Sequence, residues 1–187
     1  MTKYSLAWLQ EKYATGERLK YIFFWGHKPH ASGRVSKSCF SQWWENSSFS
    51  HEGVQYATAE HWMMAEKARL FEHPEIAEQI VHARDPGKAK ALGRMVEGFS
   101  PSIWDSKKIE IVVAGNFLKF NGHENLKRFL LDTKERVLVE ASPVDRIWGI
   151  GLAADHQDIE NPYLWKGQNL LGFALMEVRD MLRSGVK

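Results

Sequence analysis

One helical face in TAEHWMMAEKARLF, residues 58–71, carries two opposite charges that could do chemistry. At 3.6 residues per turn, Glu60, Met63, Met64, Lys67 and Phe71 fall along one side, which is otherwise apolar. Burying either charge is costly unless it is paired or used. A lysine in apolar surroundings has its pKa pushed down, which supplies the free amine that Schiff-base chemistry needs. A carboxylate on the same face serves as a general base or stabilises a cationic sugar. A solvated Glu beside a Lys whose methylene stem lies along the surface fits the same pattern.

Three further clusters carry chemistry-bearing residues. In EASPVDRIWGIG (140–151), Asp145 and Trp148 lie within a turn of each other. Gly149 and Gly151 there allow close backbone approach. An acid beside an indole suits a sugar hydroxyl and a stacked base, while an Asx-turn with a core-filling Trp explains the same residues. SPSIWDSKKIE places Trp104 and Asp105 just inside a proline-started helix, where a core Trp and an N-terminal Asp are the simpler account. Arg94 in GRMV, Lys119, and Asn169 in KGQNLLG offer groups able to hold phosphate, though each also reads as an ordinary surface position. The eight His show no HExxH or paired metal spacing, and Cys39 is the one cysteine, so no metal site and no cofactor are expected. Walker, GxSxG and kinase signatures are missing, and the glycines of 149–151 open no helix in a βαβ unit.

The elements that must position these residues follow from local signals. Residues 4–14 predict an amphipathic helix ending near Gly16, and YIFFWGH (21–27) predicts a strand. KPHASGRVSKS (28–38) reads as a polar loop. CFSQWWENSSF and HEGVQYAT predict two short strands joined by a turn at His51-Glu52-Gly53. From Thr58, a helix cap, about 75 residues read as helical. Pro74, Pro86 and Pro101 start successive helices, with Asp85 and Ser100 as caps; Gly98 and Gly122 are expected to end helices. RVLVEAS (136–142) predicts a strand, 144–152 a glycine-containing loop, and 153–168 an irregular polar stretch. NLLGFALMEVRDMLRS predicts a packing helix with Leu171, Ala174, Leu175, Val178 and Leu182 on one face. The fold class expected is mainly α (α+β), about seven helices with a few short strands.

At 187 residues the chain fits one domain with a sizeable core. A formal charge of +2 announces no strong field for nucleic acid, and eight Trp with ten Phe fill a core or line a stacking pocket. A single Cys suits a reducing compartment. With no signal-like apolar core and no run approaching 18 apolar residues, an intracellular, cytoplasmic protein with no membrane partner is expected.

Taken in order, FFWGH, GVQYATAEHWMMAEKARLF, KALGRMVEGF, WDSKKIEIVVAGNFLKF, LLDTKERVLVEASPVDRIWGIGL and WKGQNLLGFALMEVR resemble the NADAR (YbiA-like) family, from about Tyr21 to Arg183. The resemblance implies a single compact domain over 21–185, with residues 1–20 as a helical extension. It implies a metal-free N-glycosidase acting on ribosylated nitrogen compounds. Two substrate classes go with it: phosphoribosylamino-pyrimidine intermediates of riboflavin synthesis, and ADP-ribose attached to guanine in DNA. By motif, the AEH acid is Glu60, the KA lysine is Lys67, the WD tryptophan is Trp104, and the DRIWG acid and tryptophan are Asp145 and Trp148. Lys67, Glu60 and Asp145 are then expected to be catalytic. Trp104, Trp148, Gly149, Gly151, Trp25 and Gly26 would line the substrate, and Arg94, Lys119 and Asn169 would contact phosphate or ribose. The expected route is a Lys67 Schiff base, with direct attack of Glu60-activated water as the fallback. A non-catalytic ADP-ribose or NAD-binding module is the rival reading. A DNA-binding module is a third, with the Lys28–Lys37 loop as a basic lip.

Overall fold

A computed structural model describes residues 3–185 of the chain. The helices are α1 (Leu6–Ala14), α2 (Ala59–Leu70), α3 (Pro74–Val81), α4 (Pro86–Gly93), α5 (Pro101–Asn121), α6 (Glu124–Leu131) and α7 (Leu170–Ser184). The strands are β1 (Tyr21–Phe24), β2 (Phe49–His51), β3 (Val54–Tyr56) and β4 (Val137–Glu140). Among the described residues, seven helices with four short strands make the mainly α fold read from the sequence. Contacts group the chain into two compact units, Gln42–Glu124 and a second made of residues up to Ser41 with those from Asn125 onward. Among the described residues no helix is long and apolar enough to cross a membrane.

The 42–124 unit is built around α2. Thr58 caps it, its side chain accepting from the His61 N–H. Ala59–Ala65 and Ala68 are all buried, because α3, α4, α5 and β3 pack around the helix. The sequence pattern suggests one inward face; α2 is instead covered nearly all round, and polar side chains fall inside with the rest. Trp62 donates from Nε1 to the Ile111 carbonyl at 2.8 Å, a crossing that Gly115 permits because a Cβ there would lie 2.3 Å from the indole. Before α2, β2 and β3 form a hairpin through Glu52 and Gly53, both at positive φ (48° and 81°), as a tight two-residue turn requires. The strand expected to begin near Cys39 does not; Lys37–Phe40 is a 3-10 turn and β2 starts only at Phe49.

His61 joins α2 to the α3–α4 link. Its Nε2 donates to the Ala83 carbonyl at 3.1 Å, leaving Nδ1 to accept from the Thr58 hydroxyl at 2.8 Å. Burial holds its pKa below the ordinary histidine value. The unfolded chain therefore binds this proton more readily, and stability falls as pH drops below about 6.5 toward the folded value. Urea midpoints measured from pH 7.5 to 5.5 should decline in the wild type, and decline less in His61→Gln.

Asp85 caps α4 through the Lys88 N–H at 2.7 Å, as expected. Ser100 holds the N-cap position of α5 as expected, its carbonyl accepting from Trp104 N–H, but its hydroxyl pairs with Ser102 instead of a backbone N–H. Gly98 does not end α4 either. The helix stops at Gly93, Met95 N–H closing a tighter turn on Leu92, and Gly98 (φ 63°) serves the turn leading into α5. Gly122 does cap α5.

In the other unit, β1 and β4 pair in parallel, Tyr21 opposite Val137 through Phe24 opposite Glu140. α7 packs on β4 and buries Leu171, Ala174, Leu175, Val178 and Leu182 as the spacing predicts. α1 is tied to α7 by the Tyr4 hydroxyl donating to Asp180 at 2.7 Å. The buried Arg179 donates to Thr133 Oγ1 and the Arg136 carbonyl, fastening α7 to the turn before β4.

Candidate active site

Glu60 and Lys67 stand on α2 two turns apart, roughly 10 Å along the axis. They do not form an ion pair. The Lys67 ammonium donates to the Gly93 carbonyl at 2.8 Å and lies 4.4 Å from the centroid of the Phe99 ring. Gly93 can offer that carbonyl because α4 runs close against α2: a Cβ at Gly93 would fall 2.4 Å from Met64 sulfur. Burial lowers the Lys67 pKa, and the nearby Arg94 charge lowers it further. Arg94 itself is exposed at the end of α4. A half-buried amine with a like charge beside it gives up its proton more readily than an exposed lysine.

Glu60 is 2% exposed in the first turn of α2. Its N–H donates to the Gln42 carbonyl at 3.0 Å. The Gln42 side chain in turn accepts from Asn116 Nδ2 at 2.7 Å, and that group also reaches the Val112 carbonyl. This buried carboxamide pair escaped the sequence reading; a lone Asn inside the apolar run IVVAGNFLKF was the available signal. Trp104 is only half-buried on α5, so it is not the core Trp of the simpler account. Lys119, read as an ordinary surface charge, is fully buried, its Nζ 5.2 Å from the Phe120 ring centroid.

In the other unit, the parallel register brings two sequence-distant motifs to one edge. Ala141 N–H donates to the Phe24 carbonyl at 2.9 Å, so Trp25 and Gly26 leave β1 beside the chain leaving β4. Trp25 is 58% exposed. Asp145 Oδ1 accepts from both the Ile147 and Trp148 N–H groups at 2.8 Å. This is the Asx-turn, and it leaves Oδ2 as the oxygen available to a ligand. Gly149 is required by packing, since a Cβ would lie 2.9 Å from the Glu140 carbonyl. Gly151 adopts a φ of 67° and its N–H returns to the Asp145 carbonyl. Trp148 is half-buried on this loop. Asn169 corrects the expectation of a ligand contact. It is fully buried, accepting from Glu140 N–H and donating to the Leu138 carbonyl, both at 2.9 Å, so its amide clasps β4.

Comparison with known proteins adds a family. The NADAR domain model matches residues 23–183. An N-glycosidase of Acanthamoeba polyphaga mimivirus, R617, is 41% identical over 165 residues, covering 86% of this chain and 95% of that protein. A chloroplastic riboflavin biosynthesis protein of Zea mays, PYRR, is 32% identical over 131 residues, 66% of this chain but 19% of its own length. The NMR structure of the E. coli protein YbiA superposes with a TM-score of 0.70 at 26% identity, over 89% of this chain and 86% of that one.

Proposed function

The chain belongs to the NADAR family, and from that premise we propose that it is an N-glycosidase hydrolysing the C1′–N bond of a ribosylated nitrogen compound. The mimiviral relative named an N-glycosidase supports the reaction class. The observation that carries the chemistry is the desolvated Lys67 amine on α2.

Lys67 Nζ bonds to C1′ as the bond from C1′ to the base nitrogen breaks. The electron pair leaves with the nitrogen, which takes a proton from Glu60. Positive charge builds on the sugar during this step, and the Glu60 carboxylate formed stabilises it. Opening of the C1′–O4′ bond gives a protonated imine; water adds, the amine leaves, and free sugar is released. Asp145 is assigned to ribose hydroxyls by its family motif rather than by its placement. Trp104 and Trp148 are assigned to stacking on base or sugar, with exposed Trp25 and Gly26 as further contacts. Arg94 is assigned to phosphate. Lys119, being fully buried, is no accessible contact.

The substrate class we assign first is the phosphoribosylamino-pyrimidines, supported by the relative named a riboflavin biosynthesis protein. ADP-ribosylated guanine in DNA is second, and the net charge of +2 gives it little long-range attraction. Each is incubated separately with the protein and the released sugar phosphates are compared. Release from the pyrimidine substrate at the higher kcat/KM is expected. Tight ADP-ribose binding with release of base from neither substrate would make the chain a binding module instead.

A further inference from the structure

Phe99 sits in the connector between α4 and α5, and 43% of its surface is exposed, so apolar burial alone does not account for its placement. The ring is held by other contacts. Phe71, which ends α2, packs against it with centroids 5.3 Å apart and planes tilted by 53°. His73, before α3, makes a 3.2 Å hydrogen bond to the Glu97 carbonyl two residues upstream. One face of the braced ring looks onto Lys67 Nζ at 4.4 Å, while the Gly93 carbonyl accepts from the same nitrogen. The α4–α5 connector thus contacts the ammonium through a π face and begins at the carbonyl that accepts its hydrogen bond.

We propose that Phe99 is a positioning residue, its ring face and the Gly93 carbonyl together fixing the Lys67 amine in one place and favouring its protonated form. The inference rests on the assignment of Lys67 as nucleophile. Several charged groups on the surrounding elements have partners of their own, while Glu72 and Glu97, beside Phe71 and Phe99, form no ion pair among the described residues. On α2, Glu66 pairs with Arg69; at α3, Glu75 pairs with His73; on α5, Asp105 pairs with Lys108. On α4, Lys90 lies over the Trp43 ring, and on β3 (Val54-Gln55-Tyr56) the titratable group is Tyr56, whose hydroxyl accepts from Arg69 at 3.0 Å. Arg94 is the charge that bears on Lys67, and it opposes the ammonium that Phe99 favours. Two neighbours of opposite effect thus set when the amine is free.

The test measures Lys67 directly. The full-length folded protein is labelled with trace acetic anhydride across a pH series, and Lys67 acetylation is read by peptide mass spectrometry. Phe99→Leu removes the π face and keeps apolar bulk, so its labelling midpoint should move down by about 0.5 to 1 pH unit. Phe99→Met should do the same, Phe99→Tyr should restore the wild-type midpoint, and Arg94→Gln should move it up. At a pH above both midpoints, where the amine is free in both proteins and only its placement differs, turnover of the phosphoribosylamino-pyrimidine by Phe99→Leu should fall roughly tenfold in kcat at little-changed KM. An unmoved or raised midpoint in both Phe99→Leu and Phe99→Met overturns the inference. A lowered midpoint supports it even where Lys67 proves dispensable for turnover, a result that would defeat only the nucleophile assignment.

Discussion

Lys67→Met is expected to lose roughly a thousandfold or more in kcat while the fold is kept. Methionine is close to lysine in length, stays within the half-buried space beside Met64 and Phe99, and removes a charge whose burial is unfavourable. Against this, the Gly93 carbonyl loses its donor, at about 1 kcal/mol. The two effects are opposite in sign, so the melting temperature should stay close to that of the wild type. Lys67→Arg separates charge from nucleophilicity. Guanidinium keeps the positive charge but does not deprotonate, so this variant should be as inactive as Lys67→Met. Borohydride added during turnover should trap a sugar adduct on Lys67 in the wild type and on neither variant. Because burial and Arg94 hold this amine below the usual lysine range, kcat should rise with pH through that lowered value. Full turnover by Lys67→Met would remove the Schiff-base route and leave water activated by Glu60.

Local signals made the elements of this fold legible. Thr58 before an apolar helix, prolines at first helical positions, and a Glu-Gly turn between short strands each act within a few residues. The misreadings share a different cause. Gly98 looks like a helix stop, yet α4 ends five residues earlier, where Gly93 packs on Met64 of another helix. Lys119 reads as surface charge from its neighbours in sequence and is buried by tertiary packing. The candidate site divides in the same way. That Glu60 and Lys67 share a helix follows from periodicity; that Lys67 faces Gly93 and Phe99 depends on where α4 ends and how the connector folds back. The placement of FFWG beside the strand that leads into the DRIWG loop required the parallel register of β1 and β4, which joins positions more than a hundred residues apart.

The same non-local logic gives the largest expected effect on stability, at Gly172. In the third position of α7, alanine is favoured over glycine by about 1 kcal/mol on helix propensity alone. Gly172→Ala should nevertheless destabilise. A Cβ there would lie 2.1 Å from the Leu138 carbonyl oxygen and 2.6 Å from both polar atoms of the Asn169 amide. The carbonyl belongs to β4 and is held by Asn169 Nδ2 at 2.9 Å, so neither neighbour can withdraw without breaking that bond. Relief requires shifting α7 away from β4, which opens the packing of buried Leu171, Ala174 and Leu175. A net cost of about 3 kcal/mol is expected, or roughly 6–12 °C in melting temperature for a chain of this size. Asn169→Ala should also destabilise, by about 2 kcal/mol, since it orphans the Glu140 N–H and the Leu138 carbonyl. Both substitutions break one joint between β4 and α7. The double variant should therefore cost less than the sum of the two, and a thermal-denaturation cycle giving strict additivity would show that the joint is not shared.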